Sequence, residues 1–433
     1  MRVHLATIGC RLNEAEVETW TRDFHARGHA LAPSAEEADL VVVNTCAVTE
    51  EAVRKSRRLL RRARRANPQA RLVLSGCYAS LDAPLAAREP GVDLLVPNAE
   101  KDRLVDLVSR ALGLQSVPVD ALEADAHRLF ARGRQRAFVK VQDGCRHRCA
   151  FCVVTLARGA ERSRPAAEVI AEIEHLHAGG VNEVVLTGVH LGGWGSDRGE
   201  DLSALVSAVL GQTAIPRVRL GSLEPWNLPR DFFGLFADPR LMPHLHLPLQ
   251  SGADAVLRRM ARRCRASQYR AIVDRARARV PDLVLTTDVI AGFPGETAAD
   301  WQATLDLVAA VGFGRVHVFP YSPRPGTRAA TLPDPVDEGV RRARARELQA
   351  LSDRLAGETR LRFVGRELAV LVEGRHTDAG GGLRRWEGYS PGFLRCGFTA
   401  PAQPDLTGQI VAVRAEATDP AGAQLSCLRL ATT

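Results

Sequence analysis

The sequence predicts an α/β protein in three parts: an N-terminal parallel α/β sheet, a central partial (β/α)6 TIM-like barrel, and a small C-terminal β-barrel. Three observations predict it. Over residues 1–125, apolar runs of strand length alternate with helix-length stretches, as in a parallel sheet covered by helices. The same alternation recurs six times over residues 126–361. Over residues 362–433, short alternating runs are separated by glycine and proline clusters. A length of 433 residues accommodates two to three domains.

In the first part, Arg2–Cys10 reads as a strand ending at a glycine turn, followed by a helix over about 13–27. Leu40–Cys46 is a continuous apolar run, the mark of a strand buried on both faces. Thr49 is a plausible N-cap, with Glu50 and Glu51 in the first turn of a helix that runs to Ala66 and stops before Pro68. Arg71–Cys77 and Asp93–Pro97 are further strands. Cys10, Cys46 and Cys77 each fall just past a different strand, where open parallel sheets place ligands. Gly9 and Gly76 precede two of them and permit close approach. The readings are a three-thiolate metal site or three small buried residues.

Gly113–Arg136, with Pro118, Gly133, Arg132 and Arg134, lacks a period and reads as a linker. Beyond it, strands are expected at 137–141, 183–187, 217–221, 244–247, 284–290 and 314–319. Helices are expected at 164–177, 201–210, 253–262, 266–278 and 298–311. Loops rich in glycine, carboxylate or amide follow the later strands. They include Thr187-Gly188-Val189-His190, Ser222-Leu223-Glu224, Pro248-Leu249-Gln250 and Gly292-Phe293-Pro294-Gly295-Glu296. Singly these are turn glycines or caps; together they outline a ligand site. Cys264 sits in a basic stretch read as helical and structural. His244 and His246 share one strand face and read as core or rim.

In the last part, strands are expected at 368–373, 386–389, 394–398, 409–415 and 424–430. Arg375, Arg384, Arg385, Trp386, Tyr389, Arg395 and Arg414 interleave cations with aromatics, as in oligonucleotide-binding barrels. A plain packing or dimerisation module is the alternative.

Composition narrows the class. The formal charge of +8 suits an anionic partner such as nucleic acid. All but three of the 58 basic residues are arginine, so arginine clusters carry less weight than usual. The helix after Thr49 nonetheless places Arg54, Lys55, Arg57, Arg58, Arg61, Arg62, Arg64 and Arg65 within twelve residues, a phosphate-contacting patch or a solvated face. The absence of a signal pattern and of any apolar run near ~20 residues implies no membrane span and a cytoplasmic protein. In that reducing compartment nine cysteines point to metal ligation before disulfides.

The densest chemistry is Cys145-Arg146-His147-Arg148-Cys149-Ala150-Phe151-Cys152, spaced C-x3-C-x2-C. Three thiolates from one loop suit an iron–sulfur cluster with one iron left open. Zinc would need a fourth ligand, and His147 sits poorly between its neighbours.

With Phe151 just before the last cysteine, this run resembles the signature of radical S-adenosylmethionine (SAM) enzymes. The whole chain resembles their methylthiotransferase family. The matching stretches are Thr7–Asn13, Val43–Val48, Ser75–Cys77, the Cys145 loop, Val289–Glu296 and Tyr321–Thr327. The domain order matches too: a methylthiotransferase N-terminal domain, a radical SAM barrel and a TRAM RNA-binding barrel. Gly9–Glu16 and Asn44–Thr49 look most like the branch acting on N6-threonylcarbamoyladenosine at tRNA position 37. The chain departs from the family at the Gly380–Gly382 insert, around Gly392–Cys396, and after the second barrel strand, where only Gly188 of a glycine motif remains.

The resemblance implies two [4Fe-4S] clusters. Cys145, Cys149 and Cys152 would hold the radical-generating one, and Cys10, Cys46 and Cys77 an auxiliary one that delivers sulfur. SAM would serve as methyl donor and radical source, contacted by Phe151, Gly188, Ser222, Glu224, Gln250, Asp288, Gly292 and Glu296. It further implies a tRNA anticodon loop as partner, with Arg54, Arg58, Arg61, Arg324, Arg384 and Arg385 as RNA contacts. A low-potential electron donor and a sulfur donor complete the set. The expected reaction is C2 methylthiolation of threonylcarbamoyladenosine. The alternatives are isopentenyladenosine in tRNA, a ribosomal-protein aspartate, or a zinc-stabilised RNA-binding module without catalysis.

Overall fold

A computed structural model describes residues 1–114, 135–419 and 422–430, without the Arg375 side chain. The expected linker residues Pro118, Arg132, Gly133 and Arg134 lie outside the described residues.

The first unit is a five-stranded parallel sheet in the order β2-β1-β3-β4-β5. Its strands are β1 (Arg2–Thr7), β2 (Ala30–Leu31), β3 (Leu40–Thr45), β4 (Arg71–Gly76) and β5 (Leu94–Val96). Every residue of β3 is buried, because helices cover both faces of the sheet. On one face, α1 (Arg11–Ala26) packs Val17, Trp20 and Phe24 against Val3, Leu40 and Val42. On the other, α2 (Glu50–Ala66) packs Leu60 and Ala63 against Val41 and Leu74. Thr49 caps α2, its hydroxyl accepting from the Ala52 N–H at 3.1 Å. Three helices escaped the sequence reading: α3 (Cys77–Leu81), α4 (Ala83–Ala87) and α5 (Leu104–Ala111).

The central unit begins with β6 (Ala137–Lys140). A short antiparallel pair, β7 (Gln142–Asp143) and β8 (Arg162–Ser163), flanks α6 (Val154–Arg158). Then come α7 (Ala166–Ala178), β9 (Glu183–Thr187), α8 (Leu202–Gln212), β10 (Arg217–Leu220), β11 (His244–His246), α9 (Asp254–Arg259), α10 (Ala266–Arg279), β12 (Val284–Ala291), α11 (Ala298–Val311) and β13 (Arg315–Pro320). The six long strands form two parallel ladders, β6-β9-β10 and β11-β12-β13, joined by the bridges Val218↔Leu241 and Ser222↔His246. No pairing among the described residues closes β13 onto β6, so the barrel is open on that side. Strand periodicity sorts the side chains: Val184, Leu186, Val218, Leu220 and Leu245 join the outer core, leaving Val185, Arg219, His244 and His246 on the inner face.

α1 packs on the inner face of β6 and β9. Its Ala15 packs on Phe138 and Val185, and the Phe138 N–H donates to the Glu18 carboxylate at 2.9 Å. A 24-residue helix unanticipated from sequence, α12 (Glu338–Leu361), crosses β13, where the Ser352 hydroxyl accepts from the Val316 N–H at 2.9 Å. Cys264 is buried as expected, but it lies in the connection between α9 and α10 and not in a helix.

The last unit is a closed five-stranded barrel, β14-β15-β16-β18-β17, built from β14 (Glu367–Gly380), β15 (Leu383–Tyr389), β16 (Arg395–Pro401), β17 (Ile410–Thr418) and β18 (Leu425–Arg429). Gly380, Gly381 and Gly382 all take positive φ at the tip of the β14–β15 hairpin, so the insert is a turn. Val284 and Phe363 share this barrel's core, which seats it against the start of β12.

Candidate active site

Parallel pairing makes β1, β3 and β4 consecutive, so the chain segments that follow them emerge side by side. Cys10 is the N-cap of α1, Cys46 follows β3, and Cys77 opens α3. A Cβ on Gly9 would stand 2.7 Å from the Cys46 Cβ, and one on Gly76 2.3 Å from the Thr45 carbonyl oxygen. Both glycines have positive φ. Burial pushes the Cys46 thiol up to about 12, and the neighbouring Cys10 and Cys77 charges add to it. Cys10 is ringed by protein and likewise raised by burial, yet it opens toward solvent. Three mutually repelling thiolates suit a bound cationic centre, which reverses that penalty.

Polar partners fix the trio. The Cys46 N–H donates to the Ser56 hydroxyl at 3.2 Å, and that hydroxyl donates to the Cys46 carbonyl at 3.0 Å. The Asn98 amide lies 3.7 Å from the Cys77 sulfur, and Cys10 Sγ lies 3.6 Å from Asn13 Oδ1. The Asn13 amide also donates to the Ile8 and Thr45 carbonyls, stitching two of the loops together.

The second trio occupies the loop between β7 and α6. A Cβ on Gly144 (φ +70°) would stand 1.8 Å from the Ala160 carbonyl oxygen. The His147 N–H lies 3.4 Å from Cys145 Sγ, the Val154 N–H 3.4 Å from Cys152 Sγ, and the Arg262 guanidinium 3.8 Å from Cys149 Sγ. Donors of this kind stabilise cluster thiolates. Burial lifts Cys145 to about 11 and Cys152 to about 12, with the other sulfurs contributing. His147 does not complete a zinc tetrahedron; its Nε2 faces His190 Nε2 at 3.1 Å, and His190 Nδ1 is held by Glu161.

One side chain ties the trios together. Arg158 ends α6, six residues after Cys152. It donates to Asn13 at 2.8 Å, Glu16 at 2.8 Å and Asp143 at 3.0 Å. Lys101, fully buried, joins Glu16 at 2.5 Å and Asn98 at 2.8 Å. Burial opposes ionisation of Glu16, but Arg158 and Lys101 hold its carboxyl well below the usual range. Sequence reasoning missed Glu16, Ser56, Asn98, Lys101 and Arg158; only Asn13, one helical turn after Cys10, carried a local signal.

The anticipated SAM-contacting residues divide. Gly188, Ser222, Glu224, Gln250 and Gly292 lie just past the ends of β9, β10, β11 and β12, on the side of the Cys145 loop. Gly188 abuts Gln142, Glu224 pairs with Arg262 at 2.8 Å, and Gln250 takes φ +71°. Phe151 packs on the cluster containing Phe293 and Tyr321. Asp288 differs: it lies within β12, not in a loop, 3.2 Å from His246 Nε2. Glu296 is already engaged, accepting from the Gly292 N–H at 2.8 Å and pairing with Arg344 at 2.6 Å, so it braces its own loop.

Among the anticipated RNA contacts, Arg54, Arg58 and Arg61 are exposed along α2. The Glu50 N–H at its start donates to Ser322 at 3.3 Å, bringing the half-buried Arg324 loop to the same rim. Arg384 and Arg385 are half-buried on β15 of the C-terminal barrel.

Comparisons with known proteins agree with this architecture. Residues 2–97 match Uncharacterized protein family UPF0004, and residues 139–308 match the Radical SAM superfamily. The chain is 37% identical over 376 residues to the threonylcarbamoyladenosine tRNA methylthiotransferase MtaB of Thermotoga maritima, covering 86% of each chain. It is 40% identical over 383 residues to the tRNA-2-methylthio-N(6)-dimethylallyladenosine synthase of Cereibacter sphaeroides, covering 86% of this chain and 87% of the relative. The fold is similar to that of the radical SAM methyltransferase TsrM from Kitasatospora setae, with a TM-score of 0.56 at 16% identity over 76% of this chain and 77% of that one.

A three-cysteine loop at the strand ends of an open parallel barrel, with these matches, defines a radical SAM enzyme. Its N-terminal sheet and its relatives narrow the class: the chain belongs to the methylthiotransferase family of radical SAM enzymes.

Proposed function

We propose that the enzyme methylthiolates C2 of N6-threonylcarbamoyladenosine at position 37 of tRNA. The observation that carries this reading is the joining of two cysteine trios through Arg158, which supports a radical source and a sulfur source facing one substrate. When bound, SAM and two [4Fe-4S] clusters supply the radical that removes the unactivated C2 hydrogen and the methylthio group that replaces it.

The chain's own residues do the rest. Cys10, Cys46 and Cys77 hold the auxiliary centre, and Cys145, Cys149 and Cys152 the radical-generating one. Gly188, Ser222, Glu224, Gln250 and Gly292 shape the SAM pocket. The exposed arginines of α2 and Arg324 meet the anticodon-loop phosphates, and the C-terminal barrel adds Arg384 and Arg385. Anticodon-loop bases are already unstacked enough to be read. Turnover draws on a low-potential electron donor and a sulfur donor, and the reaction belongs to the cytoplasm.

Relatives named for threonylcarbamoyladenosine and for dimethylallyladenosine are comparably similar. The choice between them rests on the stretches Gly9–Glu16 and Asn44–Thr49. Mass spectrometry of tRNA nucleosides from a deletion strain tests it. The 2-methylthio form of threonylcarbamoyladenosine should disappear while its unmethylthiolated precursor accumulates. Loss of the dimethylallyl counterpart instead, or unchanged tRNA with an altered ribosomal protein, would refute it.

A further inference from the structure

Between α1, the inner face of β6, β9 and β10, and the C-terminal barrel lies a cavity of about 450 Å³. Its lining includes Arg11, Arg136, Arg219, Val185, Tyr389 and Phe393. Three of the arginines around it have carboxylate partners. Arg219 binds Glu183 at 2.9 Å, Arg136 binds Glu373, and Arg395 binds Glu387. Among the described residues the Arg11 guanidinium makes no hydrogen bond or ion pair, and it lies 5.6 Å from the Phe393 ring centroid. Glu14 lines the same cavity, one helical turn on from Arg11, without an ion pair to it among the described residues.

The lining also holds Glu14, Glu373 and Glu387, but a half-buried cation beside two others with no carboxylate in direct contact is costly unless a ligand brings the anion. Arg11 directly follows Cys10, so one residue of the cavity lining is the chain neighbour of an auxiliary-trio cysteine. Of the two adenosine substituents named among the relatives, threonylcarbamoyl ends in a carboxylate and dimethylallyl is a neutral hydrocarbon.

We propose that Arg11 is a specificity-determining residue that pairs with the carboxylate on the adenine N6 substituent, so that the cavity selects carboxylate-bearing adenosines over prenylated ones. The proposal rests on the threonylcarbamoyl reading above and deepens it. An Arg–carboxylate pair can be bidentate, which fixes orientation as well as charge. A hydrocarbon in the same space would leave Arg11 desolvated and unpaired, the situation in which sites discriminate most strongly.

The test uses the full-length enzyme and two anticodon stem-loops that differ only at the target adenosine, one threonylcarbamoylated and one dimethylallylated. Binding to each is measured by fluorescence anisotropy, and kcat/KM for methylthiolation by nucleoside mass spectrometry. The wild type should favour the carboxylate-bearing stem-loop by about 100-fold. Arg11→Gln should bring both ratios close to one, and Arg11→Lys should restore part of the preference. A general structural defect lowers both substrates alike and leaves the ratio intact; that result overturns the role of Arg11 while leaving the substrate reading in place. A wild type that prefers the dimethylallyl stem-loop overturns both.

Discussion

The two cysteine trios are assembled by opposite routes. Cys145, Cys149 and Cys152 lie within eight residues, positioned by one loop whose N–H groups point at their own sulfurs. Cys10, Cys46 and Cys77 span 68 residues of chain and meet only because β1, β3 and β4 are adjacent and parallel. The first trio depends chiefly on local backbone conformation. The second depends on a folded sheet and on a buried ionic network that crosses to the barrel. Perturbations of the network should therefore injure the distributed trio first, and perturbations of single turns should separate the two.

The largest effect is expected at Arg158. Its guanidinium neutralises Glu16 and Asp143, and both side chains of the Arg158–Glu16 pair are 2% exposed. Removing one partner of such a network strands the other charges, so Arg158→Leu should cost about 3–5 kcal/mol in thermal or urea unfolding. Alkylation of the metal-free protein should then label Cys10, Cys46 and Cys77 faster, with a smaller change at Cys145, Cys149 and Cys152. Equal acceleration at all six would mean that Arg158 supports the whole molecule and not the distributed trio.

Next come two glycine substitutions that separate the trios. Gly76→Ala pushes a methyl into the Thr45 carbonyl at 2.3 Å, and Gly144→Ala pushes one into the Ala160 carbonyl at 1.8 Å, each at a positive-φ position. Each should cost roughly 2–3 kcal/mol. Anaerobic reconstitution of the wild type should bind about eight irons per chain, and each variant about four. Gly76→Ala should still cleave SAM to 5′-deoxyadenosine, whereas Gly144→Ala should not. Loss of both iron sets from either variant would contradict the separation.

The same contrast explains what could be read from the sequence. The contiguous trio was legible because spacing alone encodes it. The distributed trio was legible because each cysteine ends an apolar, strand-length run, so topology supplied the missing proximity. Arg158, Lys101 and Glu16 were not legible. A charged residue in a sequence looks solvated until the fold buries it, and nothing local marks Lys101, which is fully buried, as different from any exposed lysine. α12 was missed because its 24 residues are largely charged and its packing stripe is thin, limited to Leu348, Ser352, Leu355, Ala356 and Thr359. Asp288 and Glu296 show what a motif leaves out: the fold sets one on a strand beside His246 and pairs the other with Arg344, partners that no local pattern marks.

The smallest predicted effect concerns pH, and it falls on the distributed trio's network. Glu16 has a folded pKa held below its ordinary value of 4.5 by Arg158 and Lys101. A depressed carboxyl stabilises the fold above its unfolded pKa and loses that contribution as the pH falls toward its folded pKa. Stability attributable to Glu16 should therefore be constant from pH 7 to about 5.5. It should decline below about 4.5, by at most about 1.4 kcal/mol per pH unit for one proton. Trp20 is a natural reporter, since its indole N–H donates to the Lys101 carbonyl at 3.1 Å, beside the network. Unfolding followed by emission in a background that keeps Trp20 as the single tryptophan, the other four replaced by phenylalanine, should show this acid limb when Glu16 is present. Glu16→Gln, which starts less stable because Arg158 and Lys101 lose their counter-charge, should show a shallower one. An equally steep limb in Glu16→Gln would move the acid sensitivity to Asp143, the other carboxyl that Arg158 holds down, and would place the pH dependence on the barrel side of the bridge between the trios.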